Sequence, residues 1–176
     1  MALIGWPKTL RWSNFGTPAT SVPTSYAGSH TDCHTEIDIS YSWGGTVPVS
    51  PGGDYKLKDI KVVVAIDAQN TWVLKGVSTG SNQAQILKHE QGHYNIAGIT
   101  ARDVETALKK LRNADQSDLA SDATTTADGI ISSGQTEEET YDGDPVDGGT
   151  DHGNDATQQA KWNGLIAKAQ SLDDLP

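Results

Sequence analysis

The sequence predicts an α+β fold in which a small antiparallel sheet packs on one long helix, with a further helix at the C-terminal end. Three observations carry that expectation. Residues before about 80 alternate apolar and polar side chains in short runs broken by Gly, Pro and Ser clusters, the period of half-buried strands. The apolar period then lengthens to that of a helix for some thirty residues. The chain has 176 residues, within the range of one domain, and no linker divides it, so a single domain over 1–176 is expected.

Thr9 to Phe15 alternates well enough for a short strand, with Leu10, Trp12 and Asn14 on one side. A Pro-, Ser- and Gly-rich loop follows through Ser29. Thr35 to Trp43 alternates strictly, placing Ile37, Ile39, Tyr41 and Trp43 on one face of a half-buried strand. Gly44-Gly45, Pro48 and Pro51-Gly52-Gly53 read as a long turn. Ile60 to Ile66 is the strongest strand signal, and Asp67 to Asn70 turns it into a strand over Thr71 to Lys75. One or other of these two strands is expected to lie at a sheet edge, where an extended peptide can pair.

From a candidate N-cap at Ser81 to about Asn113, Leu87, Glu90, Tyr94, Ala97, Ala101, Val104, Leu108 and Leu111 recur at +3/+4 steps. Within this helix stands His89-Glu90-Gln91-Gly92-His93, an H-E-x-x-H pattern. Histidines four apart sit about 40° apart on a helix, so both rings can converge on one ion. Glu90 falls on the apolar stripe and the histidines on its edge; a carboxylate aimed at a core is costly unless paired or coordinating. The register therefore predicts a site: His89 and His93 as zinc ligands and Glu90 as the general base for a water.

A catalytic zinc takes a third protein ligand. Asp103 lies ~15 Å further along the helix, too far to share the ion. Ile96 and Ile99 stand where the longer H-E-x-x-H-x-x-G-x-x-H motif has its glycine and third histidine. The ligand is therefore expected from a later segment: His152 first, between glycine-bearing flanks; Asp142 second; the Glu137-Glu138-Glu139 run third. Tyr141, beside these candidates, is expected to donate a hydrogen bond to an oxyanion, whereas Tyr94 in the apolar stripe is expected in the core.

The remainder is polar. Residues 116 to 133 form a weaker helix around Leu119, Ile130 and Ile131, and Gln135 to Asn154 an acidic, glycine-rich loop. Asp142 to Gly148 invites a calcium reading, but Val146 and Asp147 break the EF-hand order of ligands and turn glycine, and a solvated loop is expected instead. A last helix starts near Asn154-Asp155, with Gln158 placed for a capping box, and buries Trp162, Leu165, Ala169 and Leu172.

The net charge of −10 argues against nucleic acid and anionic membrane surfaces as partners. No apolar run approaches the ~18 residues of a membrane span. A single cysteine, Cys33, excludes an internal disulfide, and its neighbours His30 and His34 face the opposite way on an extended chain. The first residues lack a basic stretch followed by a long apolar one.

Taken with Ala101-Arg102, Leu10 to Gly16, Thr71-Trp72-Val73, Tyr141-Asp142, Thr150-Asp151-His152-Gly153, Gln159 and Trp162, the stretch Leu87 to Ala97 resembles a bacterial family of predicted secreted zinc-dependent proteases, domain of unknown function 922. The resemblance implies a zincin-like fold and residence outside the cytoplasm, secreted or periplasmic. One departure stands out. The family holds Tyr-Asp close to Thr-x-His-Gly, whereas here Gly143 to Gly149 intervene, so Asp142 and His152 can cooperate only if that insertion loops out.

The resulting expectation is a zinc metalloprotease that hydrolyses peptide or protein substrates. Its rivals are a catalytically silent binding module of the same fold and a zinc amidohydrolase acting on cell-wall peptides.

Overall fold

The computed structural model describes residues 2–24 and 32–171. Strands β1 (Ala2–Ile4), β2 (Cys33–His34), β3 (Ile37–Ser42), β4 (Gly45–Pro48), β5 (Tyr55–Lys58), β6 (Lys61–Ile66) and β7 (Trp72–Val73) precede helices α1 (Gln83–Lys110), α2 (Gln116–Asp142) and α3 (Ala156–Ser171). The class is α+β, as expected. The main sheet has the order β1-β6-β3, with β3 antiparallel and β1 parallel to β6.

Alternation explains how this sheet meets α1. Val62 and Val64 of β6 are buried, and they pack against Tyr94, Ala97, Ala101, Val104 and Leu108, which recur along one face of α1. From α2, Leu119, Ala123 and Ala127 are fully buried in the same core. Tyr94 is a core residue whose hydroxyl donates to the carbonyl of Gly5 at 2.6 Å.

Several local expectations are corrected. Residues 12–15 form a 3-10 turn, not a strand: Asn14 accepts from the Arg11 amide through its side chain and donates to the Arg11 carbonyl through its own amide, closing the segment on itself. The stretch read as a long turn contains the β4–β5 hairpin, with Pro48 at a strand end, where a missing N–H costs no ladder bond. β6 is flanked on both sides and β7 pairs with β2, so neither Ile60–Ile66 nor Thr71–Lys75 supplies a vacant main-sheet edge. The outer strands are β1 and β3, each of which among the described residues pairs only with β6, and β3 is the longer of the two.

Helix α1 starts one residue later than expected, with Asn82 rather than Ser81 at the N-cap. Helix α2 does not fade near residue 133. The Asp115 carboxylate caps its start, accepting from the amides of Ser117 and Asp118, and Tyr141 in its last turn is fully buried against α1 and α3. Packing at both ends outweighs the poor helix propensity of its Thr and Gly residues.

In α3, Asp155 accepts from the Gln158 amide at 2.8 Å, but the Gln158 side chain donates to Pro145 instead of returning to the cap. Gln159 and Ile166 form the buried face of α3, whereas Leu165 is 59% exposed. Leu172 lies outside the described residues. No described helix is long and apolar enough to cross a membrane.

Candidate metal centre

The register of α1 turns His89 and His93 towards the C-terminal end of α2. His89 Nε2 and His93 Nε2 each lie 2.9 Å from Asp142 Oδ1, at the last residue of α2. His89 is buried and His93 half-buried. Gly92 makes this approach feasible: a Cβ there would stand 2.1 Å from the Tyr141 hydroxyl oxygen.

The Gly143–Gly149 insertion does loop out. Thr150 donates through both its amide (2.8 Å) and its hydroxyl (2.6 Å) to the Tyr141 carbonyl, and the His152 amide donates to the Asp142 carbonyl at 3.2 Å. The chain thus returns to its own starting point and sets His152 beside Asp142, with Nδ1 3.4 Å from Oδ1. The ligand atoms of His89, Asp142 and His152 all lie within 4.8 Å of one another, and His93 joins them through the shared Asp142 oxygen. Asp151 and His152 both have φ of +49°, and Gly153 has +82°. Two non-glycine residues in the left-handed region are a strained arrangement of the kind that clusters at functional sites.

The hydrogen bonds behind His89 assign its proton. Gln159 directs Nε2 to the Tyr141 hydroxyl (2.7 Å) and to Asn163, leaving Oε1 to face His89 Nδ1 at 3.1 Å. The Thr150 hydroxyl proton is committed to the Tyr141 carbonyl. Nδ1 is therefore the donor, and a neutral His89 points an Nε2 lone pair at a carboxylate oxygen 2.9 Å away. Such a contact needs a proton or a cation among the opposed lone pairs. Three imidazoles and one carboxylate form the nitrogen and oxygen donor set that zinc takes, so these residues fit the ion.

Electrostatics agree. Burial alone would raise the Asp142 pKa, but hydrogen bonds from His152, His89 and His93 hold it far below the usual carboxylate range. Burial opposes protonation of His93, yet the Asp142 hydrogen bond and charge, with Glu90 and Glu138, raise it from 6.5 to about 9. The Asp142 hydrogen bond also raises His152 against a smaller effect of burial.

Glu90, buried at 5% exposure, is held by both oxygens: Oε1 accepts from the Cys33 thiol at 3.0 Å and Oε2 from the Thr35 hydroxyl at 2.6 Å. Burial, then the charge and hydrogen bond of Glu90, push the Cys33 thiol well above its ordinary value. Glu90, His89, His93, Asp142, His152 and Cys33 line one recess of about 70 Å³.

Tyr141 does not take the expected position. It is fully buried, its hydroxyl donates to the His89 carbonyl at 3.1 Å and accepts from Gln159, and its ring stacks on His89 with centroids 4.6 Å apart. That proton has a fixed partner, so Tyr141 orients His89 and does not reach towards an oxyanion. In the Glu137–Glu139 run, Glu137 and Glu139 are exposed and Glu138 is half-buried. Cys33, Thr35, Thr150 and Gln159 are site residues that spacing alone does not reveal, because each is brought in by tertiary contact. Only the family resemblance had marked Thr150 and Gln159.

A family described as "Bacterial protein of unknown function (DUF922)" matches residues 19–153, well over half of the chain. No curated protein and no solved structure matches it.

Proposed function

From a chain that belongs to the DUF922 family, whose description leaves the activity open, we propose a zinc-dependent peptidase with Glu90 as general base. The convergence of His89, His93, Asp142 and His152 beside a buried, doubly hydrogen-bonded Glu90 carries this reading. His89, His93 and Asp142 hold the ion in this proposal. Asp142 Oδ1 is common to all the histidine contacts, while the His152 side chain is 41% exposed and at 3.4 Å the most distant. Zinc, when bound, supplies Lewis acidity that polarises a carbonyl and acidifies a water.

The chain's own residues do the rest. Glu90 takes a proton from the water as its oxygen bonds to the carbonyl carbon. It returns that proton to the amide nitrogen as the C–N bond breaks. Thr35 and Cys33 keep the carboxylate oriented between those two transfers. Gln159 and Tyr141 hold the His89 ring in the tautomer that turns Nε2 to the ion. The helix-on-sheet arrangement is read as zincin-like, with the vacant edge of β3 available to an extended substrate. The family resemblance favours action outside the cytoplasm.

A second reading has one observation in its favour. A catalytic zinc keeps an open position, and four protein donors stand here, which is the number of a closed structural site. Zinc-loaded wild type and Glu90→Gln, assayed on casein, unstructured peptides and muropeptides, separate these readings. The peptidase reading requires digestion by wild type and a loss of about 10³-fold or more in Glu90→Gln with zinc content unchanged. Equal rates in both would overturn it, and digestion of muropeptides alone would favour the amidohydrolase.

A further inference from the structure

Beside the metal centre a groove of about 430 Å³ runs between β3 and α2, with His93 and Asp142 at one end. Glu36, Ile37, Gln135 and Glu138 line it, and a smaller hollow continues it past Ile39 and Ile131. Beyond these the Tyr41 hydroxyl donates to Asp128 at 2.6 Å and ties β3 to α2. Tyr41 stands four residue steps beyond Ile37 on β3, a reach of ~13 Å, enough for about four residues of extended chain.

The lining is unbalanced. Glu36, Glu138, Glu139 and Asp142 face the larger space, and no Lys or Arg lines either part. Glu36 has a partner in His34, at 2.9 Å. Glu138 makes no hydrogen bond or salt bridge with a described residue, although it is half-buried; burial raises its pKa from 4.5 to about 7 against a lowering by the charge of nearby His93, a charge that is lost when this imidazole is a neutral metal ligand. An unpaired carboxylate on the wall of a groove is an expensive feature that an incoming cation would relieve.

We infer that this groove binds an extended peptide carrying a lysine or arginine, whose cationic end Glu138 receives beside the metal centre. The inference deepens the peptidase reading and rests on it for the orientation of the chain. Charge complementarity selects the occupant: a basic side chain brings a counter-charge to Glu138, its aliphatic stem fits beside Ile37 and Ile39, and an acidic one meets the carboxylates of Glu36, Asp38, Glu138 and Glu139.

The test uses fluorescent six-residue alanine-based peptides in which one lysine, norleucine or glutamate is moved along the chain. Binding is measured by anisotropy to zinc-loaded Glu90→Gln, which removes turnover, and to the same protein with Glu138→Gln or Glu137→Gln added. The expected result is that lysine at one position binds at least tenfold tighter than norleucine and that glutamate binds most weakly. Glu138→Gln should erase the preference, whereas Glu137→Gln, an equal change of charge outside the groove, should leave it. Equal binding of the three series, no binding of any, or a preference that survives Glu138→Gln overturns the inference. Wild-type turnover keeps the two claims apart: cleavage without charge preference sinks the groove alone, and selective binding without cleavage sinks the peptidase alone.

Discussion

His89 and Gln159 face each other across the contact of α1 with α3, with Nδ1 3.1 Å from Oε1, and the same amide donates to the Tyr141 hydroxyl that returns to the His89 carbonyl. This closed circuit fixes the tautomer of an imidazole in the candidate metal centre. Replacing Gln159 with Leu should weaken zinc binding by about 10–100-fold, as removal of such outer partners does at metal sites. Competition with a chromogenic chelator measures it, and unchanged affinity would remove Gln159 from the site.

Gly92 sits in the helix for reasons of space. In an ordinary helix Gly92→Ala would stabilise by ~1 kcal/mol. Here the added Cβ would lie 2.1 Å from the Tyr141 hydroxyl oxygen, and neither α1 nor the buried ring can retreat freely. Overpacking costs about 1–3 kcal/mol, so a net loss of stability is expected in urea unfolding, with zinc affinity falling alongside. A stabilised variant would show that α2 can move away.

Thr35 and Cys33 supply both hydrogen bonds to the buried Glu90 carboxylate. Thr35→Val leaves one oxygen unsatisfied and should cost about 1–3 kcal/mol of stability. It should also lower kcat by about tenfold, since it disturbs the base; Thr35 lines the groove as well, but Val has nearly the same shape and leaves that wall in place, so KM should change little. Thr35→Ser keeps the donor and should restore most of kcat. If Ser and Val behave alike, the hydroxyl does not orient Glu90.

Without metal, stability should depend on pH in a defined sense. The His93 pKa is raised from 6.5 to about 9, so the stability it contributes is complete below 6.5 and is lost as pH rises through 9. Glu138 is raised from 4.5 to about 7 and acts in the same direction over a lower window. Asp142 is lowered, so its contribution is present above its ordinary 3.8 and falls only in strong acid. The melting temperature of the metal-free protein should therefore decline between about pH 6.5 and 9. Zinc needs neutral imidazoles, so its stabilising effect should grow over that window. A flat profile in metal-free protein, or one unaltered by His93→Ala, would contradict this assignment.

Much of this was legible in particular residues. The 3.6-residue period of α1 located Glu90 against the core and the two histidines at its edge, because one face of that helix is buried along most of its length. That further donors come from later in the chain followed from the absence of a third ligand on α1, although only His152 lies in a loop and Asp142 ends α2. What stayed hidden depended on partners distant in sequence. The β4–β5 hairpin was masked by Pro48 and the Pro51–Gly53 tip, whose local chemistry signals a turn whatever flanks it. The last turns of α2 were masked by Gln135 to Thr140, which carry no apolar side chain, and the burial of Tyr141 extends the helix to Asp142. The vacant edge at β3 is a matter of strand order, which alternation within single strands does not encode.

The central claim is that α1 and the C-terminal end of α2 share one zinc beside Glu90. A zinc-edge anomalous map from crystals of the zinc-loaded protein tests it most directly. The account predicts one peak at ~2.0–2.2 Å from His89 Nε2, His93 Nε2 and an Asp142 oxygen, with a water on the ion hydrogen-bonded to Glu90. No peak at these residues, or an ion closed by all four donors with no water facing Glu90, would contradict it.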